Sequence, residues 1–503
     1  MAIIPLYVDG TRLRVDTPSQ VVGALSARLT FTEKRFLQGW EKKHAKKLGA
    51  PTVEEYDVEC FRVDKKGRVC TDAGFLTSIE RWLKKEGHTP DVRHIWSADK
   101  TRWVFDWNRV RQYYPTMDED QIQLLEVIIA DRWRGGFANL PTGWGKGDII
   151  GALCVGFKRL RIHVIIKGLN ALNQRLAPEL SSKFVNFGVR CGSKKTNPTA
   201  RVQLISADSL DGADKNGVDL VLCDEARLLI TDSYLRPLSE YDHVVVWGFD
   251  ATLDKRIDGK NYRREQLFGD VRFKQSFKQA EKKGRVLPVI VVWHRFHMDI
   301  DPAASIEDDV EYKRHAFWCN DLRNQKIAQI MNAYNKRGEQ CLITTAVLEH
   351  ALELRKYLPH ASLVYGEQKV SDKDVLKYQR RGLLEEDEMI MTWQQAQKNI
   401  DRFASGKIML AIATTVWNYG VSFNKLRRIF YASAIQSYES CNQVSGRLTR
   451  KDNGKLQGYH HDMWDCFGNA KRAAKARFRN YAELGYFQVM WNPLKKAYTE
   501  FHG

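Results

Sequence analysis

The sequence predicts an α/β protein with two parallel sheets in tandem, preceded by a small α+β segment. Three observations predict it. Short runs rich in β-branched residues alternate with stretches of helical spacing, as in strands buried on both faces. This alternation occurs twice, over about 99–300 and again from about 313. The 503 residues are too many for one hydrophobic core.

Taken in order, residues 1–98 read as a small domain. "PLYVDGTRLRVD" (5–16) is a hairpin turning at Asp9-Gly10, and "CFRVDKKGRVC" (60–70) is another, turning at Lys66-Gly67. "AGFLTSIERWLKKEGH" (73–88) has apolar residues at helical spacing and a glycine near its end, so it reads as a helix. "EKKHAKKLG" (41–49) is strongly basic. Its lysines, Lys42, Lys43, Lys46 and Lys47, form either a solvated helix face or a phosphate contact. Over 99–300 the strands are "RIHVIIKG", "VQLISA", "VDLVLCDEA" and "HVVVWGFDAT", followed by the helix and strand of "SFKQAEKKGRVLPVIVVWHRF". The acidic stretch "MDIDPAASIEDDVEY" (298–312) reads as a linker. A second sheet domain, 301–466, draws its strands from "GEQCLITTA", "HASLVYGE", "GKIMLAIATT" and "RRIFYASA". Residues 467–503 read as a basic tail packed on that domain.

Composition excludes several classes. Hydrophobic residues make up 43 %, ordinary for a globular protein, and no apolar run approaches the ~20 residues that span a bilayer. The first residues show no secretory signal. Nine cysteines are scattered without a C-x-x-C pair, against zinc and for a reducing compartment, so a cytoplasmic location is expected. The net charge of +18 suits a polyanionic partner and salt-dependent binding.

The residues that carry chemistry come in three groups. "NLPTGWGKGD" (139–148) follows a strand and opens a helix. Its glycines let backbone N–H groups point at phosphate oxygens, and the helix N-terminus favours negative charge. Pro141, Thr142, Gly143, Trp144, Gly145, Lys146, Gly147 and Asp148 are therefore candidate nucleotide-binding residues, with Lys146 neutralising phosphates. Asp224 and Glu225 end an apolar strand, where carboxylates need a partner. Asp224 can hold magnesium, and Glu225 can deprotonate an attacking water. "QVSGRLTR" (443–450) sets Arg447 and Arg450 three apart, on one face of a helix, where they can act as arginine fingers.

Together these stretches resemble the motifs of superfamily 2 helicases. "CDEAR" resembles the DEAD or DEAH motif, and "GFDATLDKRIDGK" (248–260) resembles that family's "GLSATPxRxDGK". "IIKGLNALNQ", "ISADSL", "ATTVWNYGVSFNKL" and "QVSGRLTR" resemble further motifs in the family's order. The stretch 267–288 is similar to the branch containing XPB and the restriction-enzyme translocases, and length and layout are similar to the UvsW-type recombination helicases of tailed phages.

The resemblance implies two RecA-like domains that bind ATP and magnesium and move along nucleic acid. It assigns Gln121 (with Gln123 as competitor) to adenine and Gly420 to the nucleotide. Gln443 joins Glu225, Arg447 and Arg450 in catalysis. Gln174, Thr252 and Thr414 fall to nucleic acid, and the N-terminal module to duplex. The partner expected is DNA, branched or duplex, with RNA as the alternative, and the chain is expected to act as a monomer without a membrane. Three positions depart from the family: Gly147 for Ser/Thr, Arg227 for His/Asp, and Asp250 for Ser. Gly147 removes a hydroxyl that ligates magnesium, and Asp148, Asp224 or water are its candidate replacements. Arg227 and Asp250 are opposite changes that could form a substitute ion pair. The expected activity is an ATP-dependent DNA helicase or translocase of replication, recombination or repair. A non-catalytic nucleic-acid-binding relative and an RNA helicase remain as rivals.

Overall fold

A computed structural model of the protein describes residues 2–167, 176–183, 185–252, 258–365, 371–385, 391–414, 423–452 and 454–503. Within helices, the side chains at 39, 40, 43, 46, 372 and 393 are not described. The chain divides into two compact units, 1–140 with 145–275, and 276–503 with 141–144.

The first unit begins with strands β1 (Ile3–Asp9), β2 (Arg12–Val15), β3 (Thr30–Phe36), β4 (Val53–Glu59), β5 (Phe61–Val63), β6 (Val69–Asp72) and β7 (Thr89–His94). Five of them form a sheet in the order β5-β6-β2-β1-β7, while β3 and β4 pair separately. Gly10 makes the β1–β2 turn at a φ of 59°, which a side chain would resist. Alternation along β1 buries Ile4, Leu6 and Val8 with Leu25 of α1 (Ser19–Arg28) and Ile79 and Leu83 of α3 (Leu76–Lys85). The basic helix α2 (Gly39–Lys47) lies in the connection between β3 and β4, beyond the Phe36–Val53 pair that ends the hairpin.

The same unit holds an eight-stranded sheet of β8 (Gly135–Asn139), β9 (Ile162–Ile166), β10 (Phe187–Cys191), β11 (Lys194–Thr196), β12 (Val202–Ser206), β13 (Leu220–Asp224), β14 (Val245–Asp250) and β15 (Val271–Lys274). Their order is β11-β10-β12-β9-β13-β14-β8-β15, and every pair but β10–β11 is parallel. Strands β8, β9, β12 and β14 are buried at every residue, the pattern that parallel strands covered on both faces require.

The second unit holds β16 (Val289–Phe296), β17 (Cys341–Thr344), β18 (Ser362–Val364), β19 (Leu410–Ala413), β20 (Arg428–Tyr431), β21 (Gly458–Asp465), β22 (Phe487–Asn492) and β23 (Ala497–Glu500). The order is β18-β19-β17-β20-β21-β16-β22-β23, parallel except for the edge pair β22–β23. The fold is therefore two large, mostly parallel sheets with a smaller N-terminal sheet.

Two expectations are corrected. The strand in "VLPVIVVW", assigned to the first sheet, is β16 and pairs with β21 and β22 in the second, so the boundary falls before 289 rather than at 300. The stretch 298–312 then lies inside the second unit, where Ala303 is buried in the core, and is not a linker between sheets. Residues 467–503 lie on the second sheet: β22 extends it beside β16, and Arg477 of the helix Ala470–Leu484 is buried against β21. Hydrophobic pattern fixes that a strand exists but not its neighbour, which is why β16 was misassigned.

Candidate nucleotide site

Strands β13, β14 and β8 are adjacent and parallel, so Asp224, Asp250 and Asn139 come to the same edge of the sheet. In open α/β sheets ligands bind at the carboxyl ends of strands. The loop 140–145 leaves β8 there, and helix α6 (Lys146–Gly156) follows it. Gly143 and Gly145 have φ of 87° and 103°. A Cβ at Gly145 would also lie 2.6 Å from Gln121 Nε2 and 3.0 Å from Asp148 Oδ2, so glycine is required there for both reasons. Gln121 is thus placed against the loop. It is the third residue of the helix Glu119–Ala130, locked by a capping box with Asp118, whereas Gln123 is exposed. Trp144, the bulky residue of the loop, is buried, with the Arg285 guanidinium 4.6 Å from its ring centre.

Lys146 Nζ lies 3.1 Å from Glu225 Oε1. Burial alone would depress the ammonium, but the charges of Glu225, Asp224 and Asp250 outweigh it and hold Lys146 above its usual value. Glu225 itself adopts a left-handed conformation at φ 50° and ψ 48°. Such conformers cluster at functional sites.

The turn after Glu225 is held by Asp250. The carboxylate, 1 % exposed, accepts the Arg227 backbone N–H at 2.8 Å and the Thr252 N–H at 2.9 Å. Arg227 Nε lies 3.8 Å from Asp250 Oδ1, so the two departures from the family motifs do face each other as an ion pair. The Asp250 carbonyl accepts the Leu140 N–H at 2.8 Å, at the start of the glycine loop. One residue therefore ties together the loop, the acidic turn and the segment after β14. Burial and the nearby Glu225 charge hold the Asp250 carboxyl above its usual range despite Arg227 and Lys146.

The donor set suits magnesium carried on a phosphate. Asp224 is a single half-buried carboxylate, and among the described residues no group of three or more His, Cys, Asp or Glu is placed to hold a metal. Magnesium needs only one or two carboxylates when phosphate oxygens and water complete its shell. Asp224 would hold it. Asp148 lies in the first turn of α6, beside Gly145 and Gln121.

The second unit corrects one expectation. Gln443 belongs to the helix Tyr438–Ser445 and donates to Glu439 at 3.1 Å, but that helix ends at Ser445. Arg447 lies in the following turn and Arg450 beyond it, so the two arginines do not share a helix face. Gly446, three residues after Gln443, caps the helix and ends the register that would have aligned them. Thr252 and Thr414, expected to contact nucleic acid, are buried at 5 % and 1 % exposure. Lys42 is half-exposed and Lys47 exposed on α2. Gln174 and Gly420, with the side chains of Lys43 and Lys46, fall outside the described residues.

Sequence reasoning missed Asn139, whose side chain reaches the Asp250 carbonyl at 3.5 Å, and the hub role of Asp250 itself. The available signal was the position of each at the end of an apolar run.

No family model and no curated protein matches the sequence. Solved structures do match. S. cerevisiae Dbp5 bound to RNA and ADP BeF3 is similar over 77 % of this chain and 95 % of its own, with 10 % identity and a TM-score of 0.53. The chain shares its fold of two large, mostly parallel sheets with this structure. Mycobacterium smegmatis helicase Lhr, bound to ssDNA and AMP-PNP, is similar over 76 % of this chain and 50 % of its own, at 14 % identity and a TM-score of 0.50. T4 UvsW aligns over 97 % of this chain and 98 % of its own, at 13 % identity and a TM-score of 0.40.

Proposed function

We propose that the protein is a nucleic-acid-dependent ATPase that unwinds or branch-migrates DNA in replication, recombination or repair. The observation that carries this reading is the Lys146–Glu225 pair, beside Asp224 and Asp250, at the mouth of a glycine loop that opens a helix. In this reading the N-terminal N–H groups of α6 and the Lys146 ammonium bind the phosphates. Gln121 reads the adenine. Asp224 holds magnesium, which supplies charge neutralisation to the phosphates when bound. Glu225 accepts the proton of the attacking water. Arg447 and Arg450, with Gln443, are the candidates for stabilising charge on the transferred group.

Further support comes from the ligands of the fold's relatives: Dbp5 is bound to RNA and ADP BeF3, and Lhr to ssDNA and AMP-PNP. The net charge of +18 suits a polyanion. DNA is preferred to RNA on the motif resemblance to UvsW-type helicases. An RNA helicase is the second reading, favoured by the RNA on Dbp5.

Phosphate release measured across single-stranded, duplex, four-way and RNA substrates tests the proposal. Turnover stimulated by branched or duplex DNA is expected. Glu225→Gln is expected to bind ATP and DNA normally while turnover falls by ~10²-fold or more. Undiminished turnover in Glu225→Gln would overturn the site assignment, and stimulation by RNA alone would select the second reading.

A further inference from the structure

The β3–β4 hairpin carries a buried acid that the site does not use. Glu33 of β3 is fully buried, and four groups converge on it. Tyr56 of β4 donates its hydroxyl at 2.7 Å, Tyr262 donates at 2.6 Å, and Arg263 donates through Nε at 2.7 Å and approaches through Nη2 at 2.5 Å. Lys260 Nζ lies 3.5 Å away. Three of these donors belong to the segment that follows β14, not to the hairpin. The backbone joins them too: Lys34 N–H donates to Asp258 O at 3.0 Å. Gly259, at φ 77°, comes so close that a Cβ would lie 2.5 Å from Thr32 O. Arg263 and Lys260 continue to Asp232 at 2.5 and 2.9 Å, so the network is anchored on both sides. Burial alone would raise the Glu33 carboxyl, but the hydroxyls of Tyr262 and Tyr56 and the charge of Arg263 outweigh it, and Glu33 stays ionised.

Two ends of this hairpin matter. Its connecting end, beyond the Phe36–Val53 pair, carries α2, with Lys42, Lys43, Lys46 and Lys47 in nine residues. Its Glu33 grips Arg263, whose Nη1 also donates to Ile230 O at 3.5 Å and to Asp232 Oδ1 at 2.5 Å, five and seven residues beyond Glu225. A buried ion pair adds little net stability over an apolar contact, yet breaking it by removing one partner is costly. Such a joint transmits displacement, because Arg263 is held by Glu33 and Asp232 at once.

We propose that Glu33 is a positioning residue that couples nucleic-acid contact at the basic helix α2 to turnover at the Asp250–Glu225 site. The coupling rests on the proposed ATPase function, and it assigns the hairpin a role beyond adding binding charge. The phosphate backbone displaces α2, the hairpin moves with it, and the segment 258–263 moves with the hairpin through Glu33. Arg263 passes that movement to Ile230 and Asp232, on the far side of the turn that presents Glu225 and that Asp250 holds.

The test is a comparison of the full-length protein with its Glu33→Gln variant. The readouts are basal ATPase, duplex-DNA affinity, DNA-stimulated kcat and KM for ATP, and thermal unfolding. Glu33→Gln keeps the shape but removes the charge that holds Arg263. Basal turnover and DNA affinity are expected to stay within about twofold, while the stimulation of kcat by DNA falls by roughly 5-fold or more, the lower range for a coupling between sites. Tyr56→Phe removes one donor and leaves Arg263 in place. It is expected to reduce stimulation less, and it decides the matter if Glu33→Gln does not fold. Stimulation equal to the parent's in the folded variants overturns the coupling while leaving the ATPase reading intact. A parent whose turnover responds to no nucleic acid overturns that reading and the coupling with it.

Discussion

Glu225 is an acid in a backbone conformation that β-carbons resist, and it keeps that conformation because Asp250 fixes the next turn through the Arg227 N–H. Asp250→Ala leaves the Arg227 and Thr252 N–H groups without their acceptor inside the protein. At ~1–3 kcal/mol for each buried group left unmet, the first unit should lose about 2 kcal/mol or more. Asp250→Asn keeps one acceptor oxygen and should lose less, and urea unfolding of both variants checks the order. Equal losses would show that the hydrogen bonds do not carry the turn. Gly147 makes a second prediction at this scale. Placing Thr at 147 should lower the magnesium needed for half-maximal ATPase, because a hydroxyl replaces a water in the octahedral shell. If Asp148 supplies the missing ligand, Gly147→Thr changes little and Asp148→Ala is severe. A magnesium titration of the parent and both variants distinguishes these outcomes.

At the scale of an element, β21 is the most instructive. Its sequence "GYHHDMWD" reads as a surface strand, yet His460, His461, Asp462 and Asp465 are all fully buried. Each finds a partner on another element. Arg477 makes a two-point pair with Asp462 at 2.8 and 3.0 Å, and Arg323 Nε lies 3.0 Å from Asp465. His460 meets Tyr481 at 2.8 Å and Ser445 at 3.1 Å. Arg428 can only donate, so His461 Nε2 accepts from it and the His461 proton sits on Nδ1, facing His294 Nε2 at 2.9 Å. Burial pushes His294 and His460 down to about 3, and burial with the His294 and Arg428 charges holds His461 well below its usual value. The sign follows from linkage. A histidine whose folded value is depressed favours the fold fully above the unfolded value of ~6.5 and loses that advantage as pH falls toward 3, at ~1.4 kcal/mol per pH unit for each group. Acidification from pH 7 to 4 should therefore destabilise the second unit steeply. Trp293 and Trp464, 5.3 Å apart in the same sheet, report it by fluorescence. His461→Gln, neutral at every pH, should make the fall shallower; an unchanged slope would place the acid sensitivity elsewhere.

At the scale of the whole molecule, the N-terminal sheet is built into the first unit. Phe31 stacks on Tyr262 at 4.2 Å between ring centres, and Tyr262 belongs to the N-terminal core cluster. Gly74 approaches so closely that a Cβ would lie 1.9 Å from Glu265 O. Removing 1–98 should therefore lower the thermal midpoint of the remainder by about 5 °C or more, since each kcal/mol moves a unit of this size by ~2–4 °C. A truncated chain that melts with the parent would mean the contacts carry no net stability. Among the described residues no helix is long and apolar enough to cross a membrane, and all nine cysteines are free.

The sequence by itself determined the elements whose pattern is local. Strands β9, β12, β13 and β14 are apolar runs, the hairpin at Gly10 is a turn signature, and the glycine loop before Lys146 is legible because its positive-φ glycines are a local pattern that needs no distant partner. It also placed Asp224 and Glu225 at a strand end, and raised the Arg227–Asp250 pairing from two opposite departures. Only the tertiary structure decided which sheet takes β16, because an apolar run carries no record of the neighbour it will hydrogen-bond. The same holds for β21, whose polar residues are tolerable in a core only once Arg477, Arg323 and Arg428 arrive from elsewhere. Glu33 was unreadable for the same reason. A lone acid in "TFTEKRF" looks like any exposed strand residue until Tyr262 and Arg263, some 230 positions away, close over it. Burial of charge is a property of pairs, and a pair of distant residues has no signature in either stretch alone.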